Sequence, residues 1–410
     1  MNILLLHQYF LEENDGGGSR WNEISKVWVE QGHTVTVIAG TINYSAIESP
    51  KEYKNKFYTK KEQGAVTVYR TYVYPGYNSS FMGRLFGYFS FMFSSLFVGI
   101  FILNKKFDFV LVTSPPLFIG ISAYFISLFK RIPFVFEIRD LWPESAIDTG
   151  VVTNKHIIKF SYLLEKFIYS KATLINVLTP AFRDVLINKK GIIPEKIIYI
   201  PNAADFSLSD SYLEKFNVDN FKEVNNLNNK FIITYVGAHG VANHLEQILY
   251  TASLMTDFNV LFLLIGQGME KNRLKTIAVE LKLNNVQFID SVPKSEIFKY
   301  ILASDVGCSV LKNVDTFKTV YSNKTFDYMS CKKPVLMAID GVSRALIEEA
   351  NAGLFVEPEN PEDFKNKILF YMNNQNTLQE HGNNGYNFAK LNFDRKVLAQ
   401  KYIHSIKRKI

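Results

Sequence analysis

Cysteine is scarce in this chain, whose 410 residues include only Cys308 and Cys331. Two cysteines provide neither a disulfide framework nor a cysteine-based zinc site, so both are expected to be small core residues. The chain opens directly in an apolar strand pattern, and no secretory leader is predicted. A protein of the reducing cytoplasm is therefore expected.

Signatures of nucleic-acid binding are also missing. The sequence has no zinc-finger spacing, no helix-turn-helix pattern and no basic region with interleaved aromatic residues. The net charge of +7 and the isoelectric point near 9.0 nevertheless favour an anionic partner. A nucleotide or an anionic phospholipid surface is expected, and nucleic acid is not.

Alternating strand and helix patterns, by contrast, run along most of the chain. A length of 410 residues exceeds the size at which one core usually stops growing, and 47% hydrophobic residues can fill two cores. We predict two α/β domains, at residues 1–203 and 230–385, joined by a polar linker at 204–229. A basic, helical stretch at 386–410 follows the second domain.

The segment 321–334 places a cation and a carboxylate at the start of a predicted helix. Lys324 and Asp327 lie three residues apart, which puts both on one helix face, and the first-turn amides favour an anion there. Residues 334–337 then have the pattern of a buried strand. A diphosphate with an attached ribose fits this arrangement, and an ordinary surface ion pair is the alternative.

A second segment has the pattern of a strand, a glycine turn and a helix. The apolar run 231–237 leads into a turn that contains Gly237 and Gly240, followed by helical spacing of apolar residues. Glycine lets the backbone approach a phosphate, whose charge a helix N-terminus stabilises. Gly266 and Gly268 form another such turn, for which simple strand termination is the alternative.

In this order the segments resemble the C-terminal half of retaining GT-B glycosyltransferases of family 4. The resemblance is greatest to bacterial enzymes of surface-polysaccharide (O-antigen and capsule) synthesis, amino-sugar transferases among them. The N-terminal half is similar too, through the glycine run 16–18, the motif 113–116, the stretch 137–145 and the segment 200–202. The resemblance implies a GT-B fold, with two Rossmann-like domains facing a cleft and C-terminal helices that return to the first domain.

The same resemblance implies a donor site and a catalytic group. The residues implied to bind a nucleotide-sugar donor are Gly17, Gly18, Gly237, His239, Gly240, Gly266, Val292, Ser322, Asn323, Lys324, Thr325 and Asp327. Lys324 would neutralise the diphosphate, and Asp327 would accept hydrogen bonds from the ribose. Lys324, Asp140 and Arg139 are the candidate catalytic residues, the last two because they follow a strand at the edge of the sheet where substrates bind. An internal salt bridge is the alternative for Arg139 and Asp140.

Some positions depart from the family pattern. Many members carry two glutamates at the donor site, whereas Thr319 stands at the first place and Asp327 at the second. The usual arginine and lysine after the glycine turn are missing, and Ala238-His239 and Asn243-His244 stand in their places. The sequence has no Asp-x-Asp metal motif, so no metal cofactor is expected and Lys324 and helix dipoles are expected to stabilise the leaving diphosphate.

Residues 85–103 contain no charged side chain and are long enough to span a bilayer. Strand patterns at 65–69 and 108–112 flank them, however, and a parallel sheet needs a crossover helix in this interval. We predict a helix packed on the sheet whose aromatic outer face dips into the membrane interface, and an entirely buried helix is the alternative. The outer face would be drawn from Phe86, Tyr88, Phe89, Phe93 and Phe97. Anionic lipids would be contacted by Arg84, Lys105, Lys106, Lys130 and Arg131.

The combined prediction is a retaining, metal-independent glycosyltransferase. By resemblance, the donor would be a UDP-linked N-acetylated or 6-deoxy amino sugar, and the acceptor an undecaprenyl-diphosphate-linked glycan. The protein would be cytoplasmic, peripheral on the inner face of the cytoplasmic membrane. Two other classes stay open: a GT-B epimerase acting on a UDP-N-acetylhexosamine, and a non-catalytic membrane-associated protein that binds nucleotide without turnover.

Overall fold

The computed structural model describes residues 1–12, 15, 20–42, 50–76 and 81–410, without the side chain of residue 81. The chain divides into two compact units. The first contains most residues up to Pro201 together with Lys396–Ile410, and the second contains Asn202–Arg395. Each unit is built on a largely parallel sheet covered by helices, which confirms the predicted α/β fold class.

The sheet of the first unit has eight strands in the described residues. The strands are β1 (Asn2–Leu6), β2 (Thr34–Gly40), β3 (Tyr58–Gln63), β4 (Val66–Thr71), β5 (Phe109–Ser114), β6 (Phe134–Ile138), β7 (Leu174–Val177) and β8 (Ile197–Tyr199). Their order is β3-β4-β2-β1-β5-β6-β7-β8, and only the pairing of β3 with β4 is antiparallel. Strands β5, β6 and β7 are buried along their whole length, as expected for a sheet covered on both faces.

Six helices of this unit precede the second unit in the described chain. They are α1 (Arg20–Glu30), α2 (Phe81–Phe97), α3 (Ile119–Lys130), α4 (Glu144–Asp148), α5 (Lys155–Lys171) and α6 (Pro180–Asn188). Helix α2 continues as a π-helix over Val98–Ile102 and connects β4 to β5. The predicted crossover helix is therefore present, although Met82–Ile102 is also long and apolar enough to cross a membrane.

The outer side of α2 is only partly as predicted. Phe86, Phe93 and Phe97 are exposed, so the helix is not entirely buried. Tyr88 and Phe89 are partly buried, with their ring centroids 6.4 Å and 4.8 Å from the ring of Phe118. They face α3 because a helix completes a turn every ~3.6 residues, which places them off the outward stripe.

The second unit has a sheet of six parallel strands in the described residues. The strands are β9 (Phe231–Val236), β10 (Val260–Ile265), β11 (Val286–Ile289), β12 (Val306–Val310), β13 (Val335–Ala338) and β14 (Gly353–Phe355). Their order is β11-β10-β9-β12-β13-β14, the order of a Rossmann sheet. The helices are α7 (Phe206–Lys215), α8 (Val218–Val224), α9 (Glu246–Ser253), α10 (Lys271–Glu280), α11 (Lys294–Ala303), α12 (Asn323–Ser330), α13 (Val342–Glu349), α14 (Pro361–Asn373) and α15 (Gln375–Asn392).

The predicted linker at 204–229 differs from the structure, which has α7 and α8 in this interval. Side chains of Asp205 and Asn217 cap the two helices by accepting hydrogen bonds from backbone N–H groups. Several apolar side chains of this interval pack on the core of the second unit, namely Leu208, Tyr212, Leu213, Phe216, Val218 and Phe221. The polar composition belongs to the solvent-facing side of amphipathic helices.

The last helix, α16 (Arg395–Lys407), belongs to the first unit from Lys396 onwards. The indole N–H of Trp28 donates to the carbonyl of Ala399 at 2.8 Å, and the ring of Tyr402 lies 5.8 Å from that of Trp28. Helix α15 stays in the second unit, where a Cβ on Gly385 would lie 3.2 Å from Met329 of α12. The C-terminal segment that belongs to the first unit thus begins near residue 396, ten residues later than the predicted boundary at 386.

A buried ion pair ties the first helix, the sheet and the last helix of the first unit together. The guanidinium of Arg20 lies 3.0 Å from the Glu137 carboxylate, and both side chains are inaccessible. Glu137 also accepts hydrogen bonds from Asn176 at 2.9 Å and from Tyr402 at 3.2 Å. Arg20 donates further to the Pro201 carbonyl at 2.6 Å. Buried charges need several hydrogen-bond partners because their removal from water costs free energy.

Candidate functional site

The predicted donor residues of the second unit lie along one edge of its sheet. Gly237 follows β9, Gly266 follows β10 and Val292 follows β11, while α12 follows β12 after a connection over residues 311–322 that contains a 3-10 helix. Parallel strands present their carboxyl ends at the same edge, and the strand order changes direction between β9 and β12. Ligands of open α/β sheets bind at such a point, so the topology supports the predicted location.

Two glycine loops at this edge pack against each other. Gly237 and Gly266 have φ angles of +147° and +151°. A Cβ on Gly266 would lie 1.9 Å from the carbonyl oxygen of Gly237, and one on Gly268 would lie 2.3 Å from that of His239. Only glycine is compatible with these approaches, so Gly266 and Gly268 do more than terminate a strand.

Lys324 projects from the first turn of α12 toward the end of β9. Its ammonium group lies 4.7 Å from the centroid of the Tyr235 ring and 3.4 Å from the Ser322 hydroxyl. A Cβ on Gly237 would lie 3.1 Å from its Cε atom. Burial lowers the pKa of Lys324 to about 8, so the cation is poorly solvated and poised to gain from an anionic ligand. The structure thus joins Lys324 with the glycine turn.

The start of α12 is held by a set of hydroxyl groups. Ser322 is buried at the N-cap position and makes no side-chain cap hydrogen bond to the helix. Its backbone N–H donates to the Ser343 hydroxyl at 3.3 Å, while Thr325 and Ser309 share a hydrogen bond of 3.0 Å. Asn323 is exposed at the first helical position. The uncapped first turn is a suitable anion site because its amides carry partial positive charge.

Asp327 lies one turn further along α12, with its carboxylate 3.5 Å from the ammonium group of Lys294. Both side chains are about one-fifth exposed, so the pair faces the edge of the unit without being fully solvated. This partner comes from α11 and was not predicted.

His239 is placed differently from the prediction that it assists diphosphate binding. Its imidazole is inaccessible, between the rings of Tyr235 and Phe288 at centroid distances of 6.1 Å and 6.2 Å. Neither ring nitrogen has a hydrogen-bond partner in the described chain, and burial lowers the pKa to about 4. A neutral buried ring supplies no positive charge to a diphosphate, and a hydrogen bond from its unpartnered nitrogens to the donor stays a prediction. The neighbouring Gly240 starts a short 3-10 turn.

Lys271 was not predicted and connects two of the loops. Its buried ammonium group donates to the carbonyls of Gly266 at 2.7 Å and Ile289 at 3.0 Å, and to the Asp290 carboxylate at 2.6 Å. The loops after β10 and β11, including the partly buried Val292, are thereby held together. A lysine at the first position of a helix interacts unfavourably with the helix dipole, and this mismatch is the feature of the sequence that could have singled out Lys271. Tyr235, which contacts Lys324, and Ser309, which bonds to Thr325, were not predicted either.

Arg139 and Asp140 follow β6 at the carboxyl edge of the first sheet. Asp140 accepts a hydrogen bond from the Ser145 hydroxyl at 2.7 Å, and burial raises its pKa. The backbone N–H of Arg139 donates to the Ser114 carbonyl at 3.2 Å. Burial and the charge of Arg139 lower the pKa of His7, which follows β1 on the same edge.

The predicted donor residues Gly17 and Gly18 lie outside the described residues.

Three polar groups on this edge are buried without hydrogen-bond partners in the described chain, on His7, Gln8 and Thr113. Buried polar groups are usually satisfied, and unpaired ones at the carboxyl edge of a parallel sheet suggest contacts that a ligand completes. Among the described residues, no group of three or more His, Cys, Asp or Glu side chains could hold a metal ion.

Two known families match the chain, one in each half. The "Glycosyl transferase 4-like domain" matches residues 15–203, and "Glycosyl transferases group 1" matches residues 217–388. With the two Rossmann-like sheets, these matches define the class: the chain is a glycosyltransferase of the GT-B type, built from a glycosyltransferase 4-like domain and a group 1 domain.

Among curated relatives, the chain is 27% identical over 292 residues to the "Putative colanic acid biosynthesis glycosyl transferase WcaI" of Escherichia coli K12, covering 70% of this chain and 71% of that protein. It is 24% identical over 237 residues to the "Probable glycosyltransferase WbjE" of Pseudomonas aeruginosa, covering 56% of this chain and 57% of that protein.

Solved structures share the fold over nearly the whole chain. Anabaena HepE in complex with UDP-glucose superimposes with a TM-score of 0.74 at 16% identity and covers 100% of both chains. WaaG, a glycosyltransferase involved in lipopolysaccharide biosynthesis, gives a TM-score of 0.67 at 16% identity and covers 98% of both chains. At these identities the likeness establishes the fold, and the GT-B prediction is confirmed.

Proposed function

We propose that this protein is a retaining, metal-independent glycosyltransferase that takes a sugar from a UDP-sugar. The observation that carries the proposal is the Lys324 ammonium group beside Gly237, at the point where the second sheet changes direction. A diphosphate at the uncapped start of α12 would meet this cation and the first-turn amides together. Complexes of HepE with UDP and with UDP-glucose support a uridine nucleotide as donor.

The chemistry proposed for this site needs no nucleophile from the protein. The acceptor hydroxyl attacks the anomeric carbon from the face that the leaving phosphate vacates, and the phosphate oxygen takes the hydroxyl proton. Configuration is retained because the new bond forms on the side of the old one. Lys324 stabilises the charge that grows on the leaving diphosphate, which is the contribution a metal ion makes in other transferases. Asp327 holds the ribose, and Arg139 with Asp140 orients the acceptor or the sugar.

The proposed donor sugar is an N-acetylated or 6-deoxy amino sugar, and the proposed acceptor is a glycan linked to undecaprenyl diphosphate. The name of WcaI places that relative in colanic acid biosynthesis, which supports a glycan as the acceptor. We assign the protein to the O-antigen or capsule branch of family 4 as part of this proposal. The enzyme would act at the cytoplasmic face of the membrane, with the exposed aromatic side chains of α2 in the interface.

Calorimetric titration with UDP, GDP, ADP, dTDP and CMP, all with EDTA, tests the donor site in wild type and in Lys324→Ala. We expect selective, metal-independent binding of UDP that weakens in the variant, because a buried charge-assisted contact is lost. Sugar transfer by Lys324→Ala should fall by orders of magnitude while the fold is intact by circular dichroism.

Binding of none of the nucleotides would overturn the donor site. Binding of UDP without any sugar transfer would instead favour the non-catalytic binding protein. Near-normal transfer by Lys324→Ala would remove this residue from the site. Analysis of the product separates transfer from epimerisation, since an epimerase would return a free UDP-sugar with inverted configuration at one carbon.

A further inference from the structure

The first unit carries one continuous apolar surface that extends well beyond α2. It is formed by α2 with its π-helical extension, by α3 and by α5, and we refer to it as the three-helix face. Its exposed apolar side chains are Met82, Phe86, Phe93, Phe97, Phe101, Phe125, Leu128, Phe129, Ile157, Phe160, Tyr162, Leu163 and Phe167. Exposed apolar patches of this extent mark sites of protein or membrane contact.

Close packing makes the three helices a single layer. A Cβ on Gly99 would lie 2.3 Å from Ile126, and one on Gly120 would lie 2.7 Å from Ile168, so glycines bring α3 close to both neighbours. The aromatic side chains continue across the two seams. The rings of Phe101 and Phe129 are 6.3 Å apart, and those of Tyr124 and Phe167 are 5.2 Å apart.

Charge is distributed unevenly on this face. The three helices, with the π-helical extension of α2, contain a single carboxylate, that of Glu165. Glu165 is buried and bonds to the Lys190 ammonium group at 2.8 Å, and Lys190 also pairs with Glu144. The acidic group of α5 is therefore turned inward and paired with a lysine, which leaves lysines as the charged side chains on the outer side of the helix.

Lysines and apolar side chains alternate along the outer side of α5. A shallow cavity of about 470 Å³ lies there, lined by the stems of three lysines over a floor of apolar side chains. The lining residues are Lys155, Ile158, Lys159, Tyr162, Leu163 and Lys166. Lysines that rest apolar stems on such a floor keep their ammonium groups at a polar boundary.

We propose that α5 is a second membrane-binding helix, and that the three-helix face docks on an anionic lipid bilayer with the α5 lysines at the headgroups. Aromatic side chains next to lysines on an amphipathic helix are the composition of interfacial helices. In a symmetric dimer through this face a second copy would bring these lysines against lysines, whereas phospholipid headgroups complement them. The inference deepens the proposed membrane location, on which it rests, and assigns α5 a role outside the donor site.

Vesicle sedimentation with the full-length protein tests the proposal without any donor or acceptor. The variant is Lys155→Glu/Lys159→Glu/Lys166→Glu, and the matched control is Lys26→Glu/Lys401→Glu/Lys407→Glu, which makes the same charge change at exposed positions of α1 and α16 in the same unit. A second variant, Phe160→Ser/Leu163→Ser, removes two exposed apolar side chains of the same helix.

Wild type should bind vesicles of phosphatidylglycerol and phosphatidylethanolamine, and bind less to vesicles of phosphatidylcholine. The lysine variant should bind the anionic vesicles at least about 100-fold more weakly at low salt, since each lysine lost removes roughly a five-fold factor and each new glutamate adds repulsion. The apolar variant should bind more weakly with an unchanged salt dependence. The control should stay close to wild type.

Equal loss in the control would assign binding to net charge and overturn the role of α5. Unchanged binding by both α5 variants would also overturn the role of α5. A dimer that dissociates in the apolar variant would identify a second copy of the chain as the occupant of this face. UDP binding, measured on every variant, should be unaffected. Failure of UDP binding in wild type would overturn the donor site alone, so the two proposals are tested separately.

Discussion

At the scale of single residues, the protonation of Lys324 controls the proposed donor site. Burial lowers the pKa of this lysine to about 8 in the ligand-free protein, whereas a bound diphosphate would raise it. As the pH rises through about 8, the free protein loses the charge that the donor needs. We therefore expect the affinity for UDP to weaken progressively from about pH 7 to about pH 9.

Calorimetry in two buffers of different ionisation enthalpy checks this expectation. Binding near pH 8 should be accompanied by proton uptake in wild type, because a fraction of Lys324 is neutral before the ligand arrives. Lys324→Met should bind weakly and without this uptake. An affinity that is flat across the range would show that the charge on Lys324 does not contribute.

Variants of Asp327 and of its partner Lys294 distinguish a contact with the ribose from a purely structural ion pair. Asp327→Asn should raise the donor KM about ten-fold with a smaller change in kcat, because ribose binding contributes to ground state and transition state alike. Lys294→Met removes the partner of Asp327 at 3.5 Å and leaves the carboxylate in place. An equal rise in KM for both variants would indicate that the ion pair matters and that the ribose is held elsewhere.

At the scale of elements, loops of the second sheet are aligned by Lys271. Lys271→Met should leave the Gly266 carbonyl without its buried donor, which costs roughly 1–3 kcal/mol in the free energy of unfolding. The Ile289 carbonyl loses one of two donors and keeps the backbone N–H of Gly266 at 3.0 Å. UDP should bind about ten-fold more weakly because Gly266 packs directly on Gly237.

The matched control is Lys275→Met, which changes an exposed lysine one turn later on the same helix. Denaturation in urea and UDP calorimetry on both variants provide the comparison. Should Lys271→Met lose stability while binding UDP normally, the loop alignment would be irrelevant to the donor.

At the scale of the whole molecule, Glu137 joins distant parts of the chain within the first unit. Glu137→Gln leaves the buried Arg20 without its counter-charge, and we expect a loss of roughly 3–5 kcal/mol in the free energy of unfolding of this unit. All three tryptophans, Trp21, Trp28 and Trp142, lie in the first unit, so their fluorescence reports its unfolding in urea.

Glu52→Gln is the control, because it removes an exposed ion pair with Lys61 in the same unit. Exposed pairs contribute about 0–1 kcal/mol, so this variant should unfold close to wild type. Equal midpoints for the two variants would mean that the buried network does not stabilise the unit.

The amino-acid sequence by itself determined the class of fold and located much of the proposed donor site. Apolar runs and glycine turns located β9 and β10, and the three-residue spacing located Lys324 and Asp327 on α12. These features follow from local periodicity, which depends on neighbours along the chain. The crossover position of α2 followed equally from the strands on either side of it.

Tertiary structure alone decided which distant side chains meet. It placed Lys324 on the Tyr235 ring, buried His239, and brought Arg20 to Glu137. It turned residues 204–229 into helices of the second unit and set α5 beside α3 to extend the apolar face. The physical reason is that burial, pKa and pairing depend on packing between segments far apart in sequence, which local composition and periodicity do not encode.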